Sequence, residues 1–100
     1  EFDLMKPTAY LVNTARGPIV DEAAMIDALT IGKIAGAGLD VYDEEPLPID
    51  HPLRNIANTV LVPHAAGLTE DGLSVMYKGA VEDILAFLDG SPIRILNVDS

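Results

Sequence analysis

The sequence predicts an α/β fold built on a parallel β-sheet, and the order of its elements is the main reason. An apolar run over residues 9–12, interpreted as a short buried strand, precedes a helical pattern over residues 24–29, and a second β-type run ends at Tyr42. Short connections join these three elements, which is typical of a right-handed crossover between parallel strands. A third β-type run over residues 59–62 extends the same sheet.

The composition fits a folded domain and argues against several classes of function. The chain has 100 residues, 49% of them hydrophobic, which is enough for a core. Its formal net charge is −10 and its 6 lysines and arginines are scattered, so we expect no binding to nucleic acid or to a membrane surface. The chain has no cysteine and only 2 histidines, which are far apart in sequence. We therefore expect no metal site and a cytoplasmic location.

Local signals set the limits of the elements in the first half of the chain. Pro7 ends a turn that precedes the first strand, and Asp21 is placed to cap the first helix, which Gly32 ends. The second strand is expected to run through Tyr42, because its residues are strand formers until the acids and Pro46 follow.

The second half begins with a proline-rich connection in which Leu53 and Ile56 can form one packed turn. Thr69, followed by two acids, predicts the start of a long helix that ends at Gly90. Its apolar stripe is expected to pack in a core or an interface. The stripe consists of Leu73, Met76, Tyr77, Ala80, Val81, Ile84, Leu85 and Leu88. Residues 91–100 are expected to be an edge strand or a docking tail, with Ile93, Ile95, Leu96 and Val98 as its apolar residues.

Each predicted strand is followed by residues that can bind a ligand or react with it. Arg16 follows the first strand, His64 follows the third, and the second ends in acids that include Asp40 and Glu45. In open α/β sheets ligands bind at the carboxyl ends of the strands, where the loops converge. The sequence therefore predicts a ligand site at this edge of the sheet.

Side-chain chemistry suggests a role for each of these residues and leaves a plain alternative open. Arg16 can bind a carboxylate through two parallel hydrogen bonds, or it can be a surface arginine. His64 can donate and accept a proton near neutral pH, or it can be a capped histidine after a proline. Either Glu44 or Glu45 can support the ring of His64, or the acids can form a solvated loop. Asp40 can bind a ligand or cap a nearby helix or loop.

Three motifs, taken together, resemble those of a known family. They are residues 13–17 (Asn-Thr-Ala-Arg-Gly), residues 36–46 with the acids, and residues 63–67, which contain Pro-His and Ala-Gly. In this order and spacing they closely resemble the arginine, acidic and histidine motifs of the D-isomer-specific 2-hydroxyacid dehydrogenases. The resemblance covers about residues 4–97.

The resemblance implies the second half of a Rossmann-type doubly wound parallel sheet, truncated at its N-terminal side. Residues 1–90 correspond to the C-terminal half of the dinucleotide-binding domain with its long return helix, and residues 91–100 to a tail toward the substrate domain. The chain opens with Glu1 close before its first strand, and the family's G-x-G-x-x-G turn does not occur in it. We therefore expect that turn upstream, and the sequence does not distinguish NAD from NADP, although the family favours NAD.

The resemblance also implies the site residues. Arg16 is expected to bind the substrate, His64 to transfer a proton and Glu45 to support His64, which makes these three the catalytic residues. Asp40 is expected to bond the nicotinamide carboxamide. The expected cofactor contacts are Thr14, Ala15, Arg16, Asp40, His64, Ala66 and Gly67. His51 has no partner motif and is expected to be an exposed loop residue.

The implied activity is hydride transfer between a nicotinamide cofactor and a small 2-oxo acid or D-2-hydroxy acid, by an enzyme that forms a homodimer through this domain. Glyoxylate, hydroxypyruvate and phosphoglycerate all stay open as the substrate. A second hypothesis is a non-catalytic, corepressor-like protein that only binds the cofactor. A third is that this chain is a fragment that is inactive by itself.

Overall fold

The computed structural model describes residues 1–96, and within them the chain forms three parallel strands and two α-helices. The strands are β1 (Tyr10–Asn13), β2 (Gly36–Leu39) and β3 (Thr59–Leu61), and the helices are α1 (Glu22–Thr30) and α2 (Glu70–Leu88). Short 3₁₀ helices span Phe2–Leu4, Gly17–Ile19 and Pro52–Asn55. The strands pair in the order β1-β2-β3 and all pairs are parallel, which confirms the predicted α/β fold.

The chain divides into two compact units. The first comprises residues Glu1–Ala66 and the second begins at Gly67. The first unit contains the sheet, α1 and the hydrophobic core, whereas α2 in the second unit has no buried residue. Among the described residues, no helix has the length and apolar character needed to cross a bilayer.

The predicted helix signals are confirmed. The side chain of Asp21 accepts the N–H of Ala24 at 3.0 Å at the start of α1. At its end Gly32 adopts a left-handed φ of 71°, and the N–H of Lys33 donates to the carbonyl of Ala28 at 2.8 Å. This is a Schellman C-terminus, in which a residue without a side chain allows two free carbonyls to be satisfied. Thr69 caps α2 in the same way as Asp21 caps α1.

One face of the sheet packs against α1 and the other is open. In β1 the side chain of Leu11 packs on the core, whereas Tyr10 and Val12 are 73% and 70% exposed. The prediction of a buried first strand is therefore wrong, because alternate side chains of a strand point to opposite faces and only one face is covered. The buried core consists of Met25, Ala28, Leu29, Ile34, Ala37, Leu39, Tyr42, Leu47 and Leu53.

The second strand is shorter than predicted. It ends at Leu39 rather than Tyr42, because the N–H of Tyr42 donates to the side chain of Glu45 at 3.1 Å instead of to a neighbouring strand. Asp40 is thus the first residue after β2, and the acids begin where the chain leaves the sheet.

The tail after α2 forms no strand over residues 91–96, so the edge-strand prediction is wrong there, and Val98 lies outside the described residues. Arg94 pairs with Glu82 at 2.8 Å and with Asp83 at 2.6 Å, which fastens the start of the tail to α2. The apolar stripe of α2 is exposed, with Met76 56% and Tyr77 65% accessible. The prediction that this stripe packs in a core is therefore wrong for the described residues. That it forms an interface stays a prediction.

Candidate active site

The arginine loop, residues 13–17, folds around the side chain of Asn13. The Oδ1 of this asparagine accepts the N–H of Ala15 at 3.1 Å, and its Nδ2 donates to the carbonyl of Arg16 at 2.9 Å. Asn13 is buried at the carboxyl end of β1, so an Asx-type turn begins as soon as the strand ends. The turn leaves the side chain of Arg16 exposed, and one of its five N–H groups donates to the carbonyl of Ala15 at 2.6 Å.

Gly17, at the end of the arginine loop, packs directly against the backbone of the acid loop, residues 40–46. A Cβ atom on Gly17 would lie 2.1 Å from the carbonyl carbon of Tyr42 and 2.6 Å from the nitrogen of Asp43. Only glycine permits this approach of two backbones. The close contact is with the protein's own chain, which gives a structural reason for the glycine of the arginine motif.

The acid loop places Glu45 against His64. The Oε1 of Glu45 accepts the N–H of Tyr42 at 3.1 Å, and its Oε2 lies 2.6 Å from Nδ1 of His64. The sequence left Glu44 and Glu45 open, and Glu45 is the one that meets the ring. The hydrogen bond from His64, then that from Tyr42, and finally the charges of His64 and Arg16 lower the pKa of Glu45 below its ordinary value of 4.5.

The histidine loop, residues 63–66, is fixed by Asp40. The carbonyl of Asp40 accepts the N–H of His64 at 2.8 Å, while its Oδ1 and Oδ2 accept those of Ala65 at 2.7 Å and Ala66 at 3.1 Å. Asp40 is only 2% exposed, so these N–H groups replace the water that its charge would otherwise bind. With this support His64 adopts a φ of 54°, a left-handed conformation that few residues with side chains adopt.

The arrangement directs the two ring nitrogens of His64 to different tasks. Since Nδ1 meets a carboxylate, it carries a proton and donates it to Glu45. Within residues 1–96 no protein group bonds to Nε2, and the side chain of His64 is 46% exposed. Nε2 can therefore gain or lose a proton toward a ligand while Nδ1 keeps the ring oriented.

A cleft of about 450 Å³ opens beside this pair within the first unit. Its lining includes Leu47, Leu61 and Val62 together with Glu45 and His64. The cleft gives a small ligand space next to the histidine.

Tyr42 forms part of the wall of this cleft and connects the acid loop to the end of β3. Its hydroxyl lies 2.8 Å from the carbonyl oxygen of Val62 and 3.0 Å from that of Leu39. Burial raises the pKa of Tyr42 above 10.0, which keeps the hydroxyl protonated as a donor.

His51 is not the exposed loop residue that the sequence predicted. Its Nε2 lies 2.9 Å from Oε1 of Glu22, and the two side chains are only 17% and 16% exposed. The prediction is wrong because the partner lies 29 positions away in sequence, at the start of α1, where no local pattern indicates it.

The structure brings most of the predicted site residues into one unit. Asp40, Glu45, His64 and Ala66 are joined by direct hydrogen bonds, and Arg16 is close enough for its charge to lower the pKa of Glu45. Thr14 and Ala15 lie exposed in the arginine loop, whereas Gly67 belongs to the second unit.

Sequence reasoning did not assign roles to three side chains that shape this site: Asn13, Glu22 and Tyr42. The position of Asn13 at a strand end is a usable signal for an Asx turn. The contacts of Glu22 with His51 and of the Tyr42 hydroxyl with the carbonyl of Val62 have none, because these partners are distant in sequence.

Residues 1–66 match the family model described as "D-isomer specific 2-hydroxyacid dehydrogenase, NAD binding domain". The chain belongs to this family. The match confirms the predicted membership and covers the whole first unit, where the strand-end loops lie.

Curated relatives agree with this assignment. The chain is 51% identical over 94 residues to the glyoxylate reductase of Thermofilum pendens, a match that covers 93% of this chain and 28% of that protein. It is 44% identical over 91 residues to the glyoxylate/hydroxypyruvate reductase B of an Enterobacter species, covering 91% of this chain and again 28% of the relative. The chain thus spans about 28% of the length of these curated relatives.

Solved structures show the same fold in proteins that bind nicotinamide cofactors. An acyclic imino acid reductase in complex with NADPH and D-Arg matches with a TM-score of 0.85 and 33% identity, over 94% of this chain and 30% of the other. The D-lactate dehydrogenase of Lactobacillus jensenii with NAD+ matches with a TM-score of 0.77 and 32% identity, over 97% and 33%. These neighbours contain both NADPH and NAD+, so they leave the predicted choice between the two open.

Proposed function

We propose that this chain forms the catalytic part of the nicotinamide-binding domain of a D-2-hydroxyacid dehydrogenase. The enzyme would reduce a small 2-oxo acid, with glyoxylate and hydroxypyruvate as first candidates because the relatives are named for them, or oxidise the corresponding D-2-hydroxy acid. The observation that carries the proposal is the contact between Nδ1 of His64 and Glu45 at 2.6 Å, beside a cleft.

In this proposal His64 is the general acid and base. Nε2 donates a proton to the carbonyl oxygen of the 2-oxo acid during reduction, and it takes the proton from the hydroxyl group during oxidation. Glu45 accepts the N–H of Nδ1, which orients the ring and leaves Nε2 for the substrate. Both side chains are partly exposed, so a substrate can reach them.

Arg16 is the proposed binding residue for the substrate carboxylate. Its guanidinium uses one N–H on the carbonyl of Ala15, so other N–H groups are available for two parallel hydrogen bonds to a carboxylate. Its charge also acts on Glu45, which supports a position at the same end of the sheet.

The polar groups at this end of the sheet fit the nicotinamide end of a cofactor. The bound cofactor, NAD or NADP, would supply the hydride. Each carboxylate oxygen of Asp40 accepts one backbone N–H, and in this proposal one of them also accepts an N–H of the nicotinamide carboxamide. Thr14, Ala15, Ala66 and Gly67 complete the proposed cofactor contacts.

The proposal includes three further features of the complete protein. Residues 1–90 would be the C-terminal half of the dinucleotide-binding domain, and residues 91–100 would lead toward the substrate domain. The complete protein would be a cytoplasmic homodimer, and this chain by itself would not turn over substrate. Light scattering of the complete protein and fractionation of the source cells test the dimer and the location.

The direct test uses the product of the open reading frame that encodes this chain. Glyoxylate, hydroxypyruvate and pyruvate would each be added to the protein with NADH or NADPH, and cofactor oxidation followed by its near-ultraviolet absorbance. We expect turnover with at least one 2-oxo acid. His64→Ala should lower kcat about 100-fold or more while leaving cofactor affinity within about twofold, because it removes only the proton donor.

The outcome distinguishes the enzymatic hypothesis from that of a non-catalytic, cofactor-binding protein. Cofactor binding without oxidation in the presence of all three acids would contradict the enzymatic proposal and favour a corepressor-like protein. Full turnover in the His64→Ala variant would contradict the role of the histidine.

A further inference from the structure

Glu22, the first residue of α1, makes two contacts that the proposed reaction does not use. Its Oε1 lies 2.9 Å from Nε2 of His51, and its Oε2 accepts the backbone N–H of Asp43 at 3.3 Å. The side chain of Glu22 is only 16% exposed, so these partners replace most of the water that a surface glutamate would bind. Both oxygens of this covered carboxylate thus contact the segment 43–51.

The hydrogen bonds of the His51 ring show which nitrogen carries the proton. Nδ1 accepts the N–H of Leu53 at 3.3 Å, so in the neutral ring the proton is on Nε2 and is donated to Glu22. The same ring caps the 3₁₀ helix Pro52–Asn55. Glu22 therefore holds the end of the segment through His51 and its beginning through the N–H of Asp43.

The beginning of the segment adjoins Tyr42, whose backbone N–H bonds to Glu45. The N–H of Asp43 belongs to the peptide bond that follows Tyr42, and the N–H of Tyr42 itself donates to Oε1 of Glu45 at 3.1 Å. On another side this peptide bond lies directly against Gly17. Glu22 and Gly17 thus both contact the peptide bond that follows, along the chain, the one whose N–H donates to Glu45.

We propose that Glu22 is a positioning residue that keeps Glu45 against His64. It does so without touching either, through the peptide bond before Asp43 and through the ring of His51. The inference depends on the proposed function only for its effect on turnover. Its effect on the contact between Glu45 and His64 is a property of this chain and is measurable without substrate.

The first test follows the titration of the Glu45 carboxyl by carbon NMR in this chain. In the Glu22→Ala variant we expect the midpoint of Glu45 to rise toward 4.5, because the contacts that lower its pKa lose their geometry. Asp3 is the internal reference, since its pKa is lowered by Lys33 and does not involve this loop. Asp27→Asn is the matched control, because it removes a carboxylate from an exposed position of α1 without touching the segment.

Two further variants distinguish the effect of the hydrogen bonds of Glu22 from the effect of its charge. Glu22→Gln keeps one acceptor oxygen but has no charge. It should therefore raise the titration midpoint of Glu45 less than Glu22→Ala does. His51→Ala removes the other side of the contact, and combining it with Glu22→Ala should add little, since the two residues act as a unit. Equal shifts in Glu22→Gln and Glu22→Ala would overturn positioning through hydrogen bonds.

The second test uses kcat of the complete protein. We expect Glu22→Ala to lower kcat about tenfold with little change in KM for the cofactor, and Glu22→Gln to recover part of the loss. An unchanged Glu45 titration together with a lower free energy of unfolding would overturn the proposal, because Glu22 would then be only a structural anchor. Absence of turnover in the unmodified protein would instead contradict the proposed function, and the titration would still decide the role of Glu22.

Discussion

The arginine loop and the histidine loop both follow strands of the same sheet, yet they are held in different ways. In the arginine loop the side chain of Asn13 bonds to residues two and three positions later in the chain. In the histidine loop the backbone N–H groups of Ala65 and Ala66 bond to Asp40, which lies 25 and 26 positions earlier. The first loop is therefore shaped by its own sequence and the second by a residue that follows the neighbouring strand β2.

The two loops also differ in how firmly each holds its functional side chain. Arg16 lies on a locally determined turn, and its side chain is exposed. His64, by contrast, is held through its own N–H, through the next two amides and through its ring. A proton-transfer group requires tighter placement than a charged binding group, and the supports follow that order.

The largest effect is expected where the arginine loop meets the acid loop. Gly17→Ala should lower the free energy of unfolding by about 3 kcal/mol, because the added Cβ would overlap the peptide bond after Tyr42 and the loops must move apart. Urea unfolding measures the change. Gly79→Ala is the matched control, since a Cβ at this helical position meets nothing within 4 Å. Equal stability of Gly17→Ala and the unmodified chain would contradict the close packing.

A smaller effect is expected for the long-range support of the histidine loop. Asp40→Ala should cost about 2 kcal/mol, since two backbone N–H groups lose a charged acceptor. Hydrogen exchange should become faster at Ala65 and Ala66 and stay unchanged at Ala15. Faster exchange at Ala15 as well would mean that the two loops are not held separately.

Asn13→Ala is the reciprocal change in the arginine loop. We expect it to cost about 1 kcal/mol, because two neutral hydrogen bonds within a solvent-accessible turn are lost. Exchange at Ala15 should become faster while Ala65 and Ala66 keep their protection. Loss of protection in the histidine loop would contradict the local character of the Asn13 contacts.

The same contrast explains what the sequence could predict. The succession of strands and helices along the chain and the caps at Asp21 and Thr69 rest on short-range patterns, and the structure confirms them. The gathering of polar residues at one edge follows from parallel strands alone. The assignment of Glu45 over Glu44 came from the family resemblance, because both could reach a ring from an irregular loop.

The features that escaped prediction depend on distant partners. The true end of β2 is set by a side chain of the following loop, and the burial of His51 is set by Glu22 in α1. The open face of β1 was missed because an apolar strand looks the same whether one or both faces are covered. Such facts require knowledge of which elements are neighbours in space.

The weakest expected effect is on the pH dependence of stability. Since the pKa of Glu45 in the folded chain is below 4.5, its contacts contribute stability above that pH and lose it as the pH falls through the folded value. In His64→Ala this part of the acid destabilisation should be reduced. Urea unfolding from pH 6 to about pH 3 measures it, and identical pH profiles of both chains would contradict the contribution.

The titration of Glu45 in this chain and in its His64→Ala variant tests the central claim, the contact between these two residues, most directly. Carbon NMR should show Glu45 titrating below 4.5, and the substitution should raise its midpoint because it removes the largest cause of the shift. Asp3 should titrate identically in both chains, since its partner is Lys33. A Glu45 midpoint at 4.5 in the unmodified chain, or one that His64→Ala does not change, would contradict the contact on which the proposed function depends.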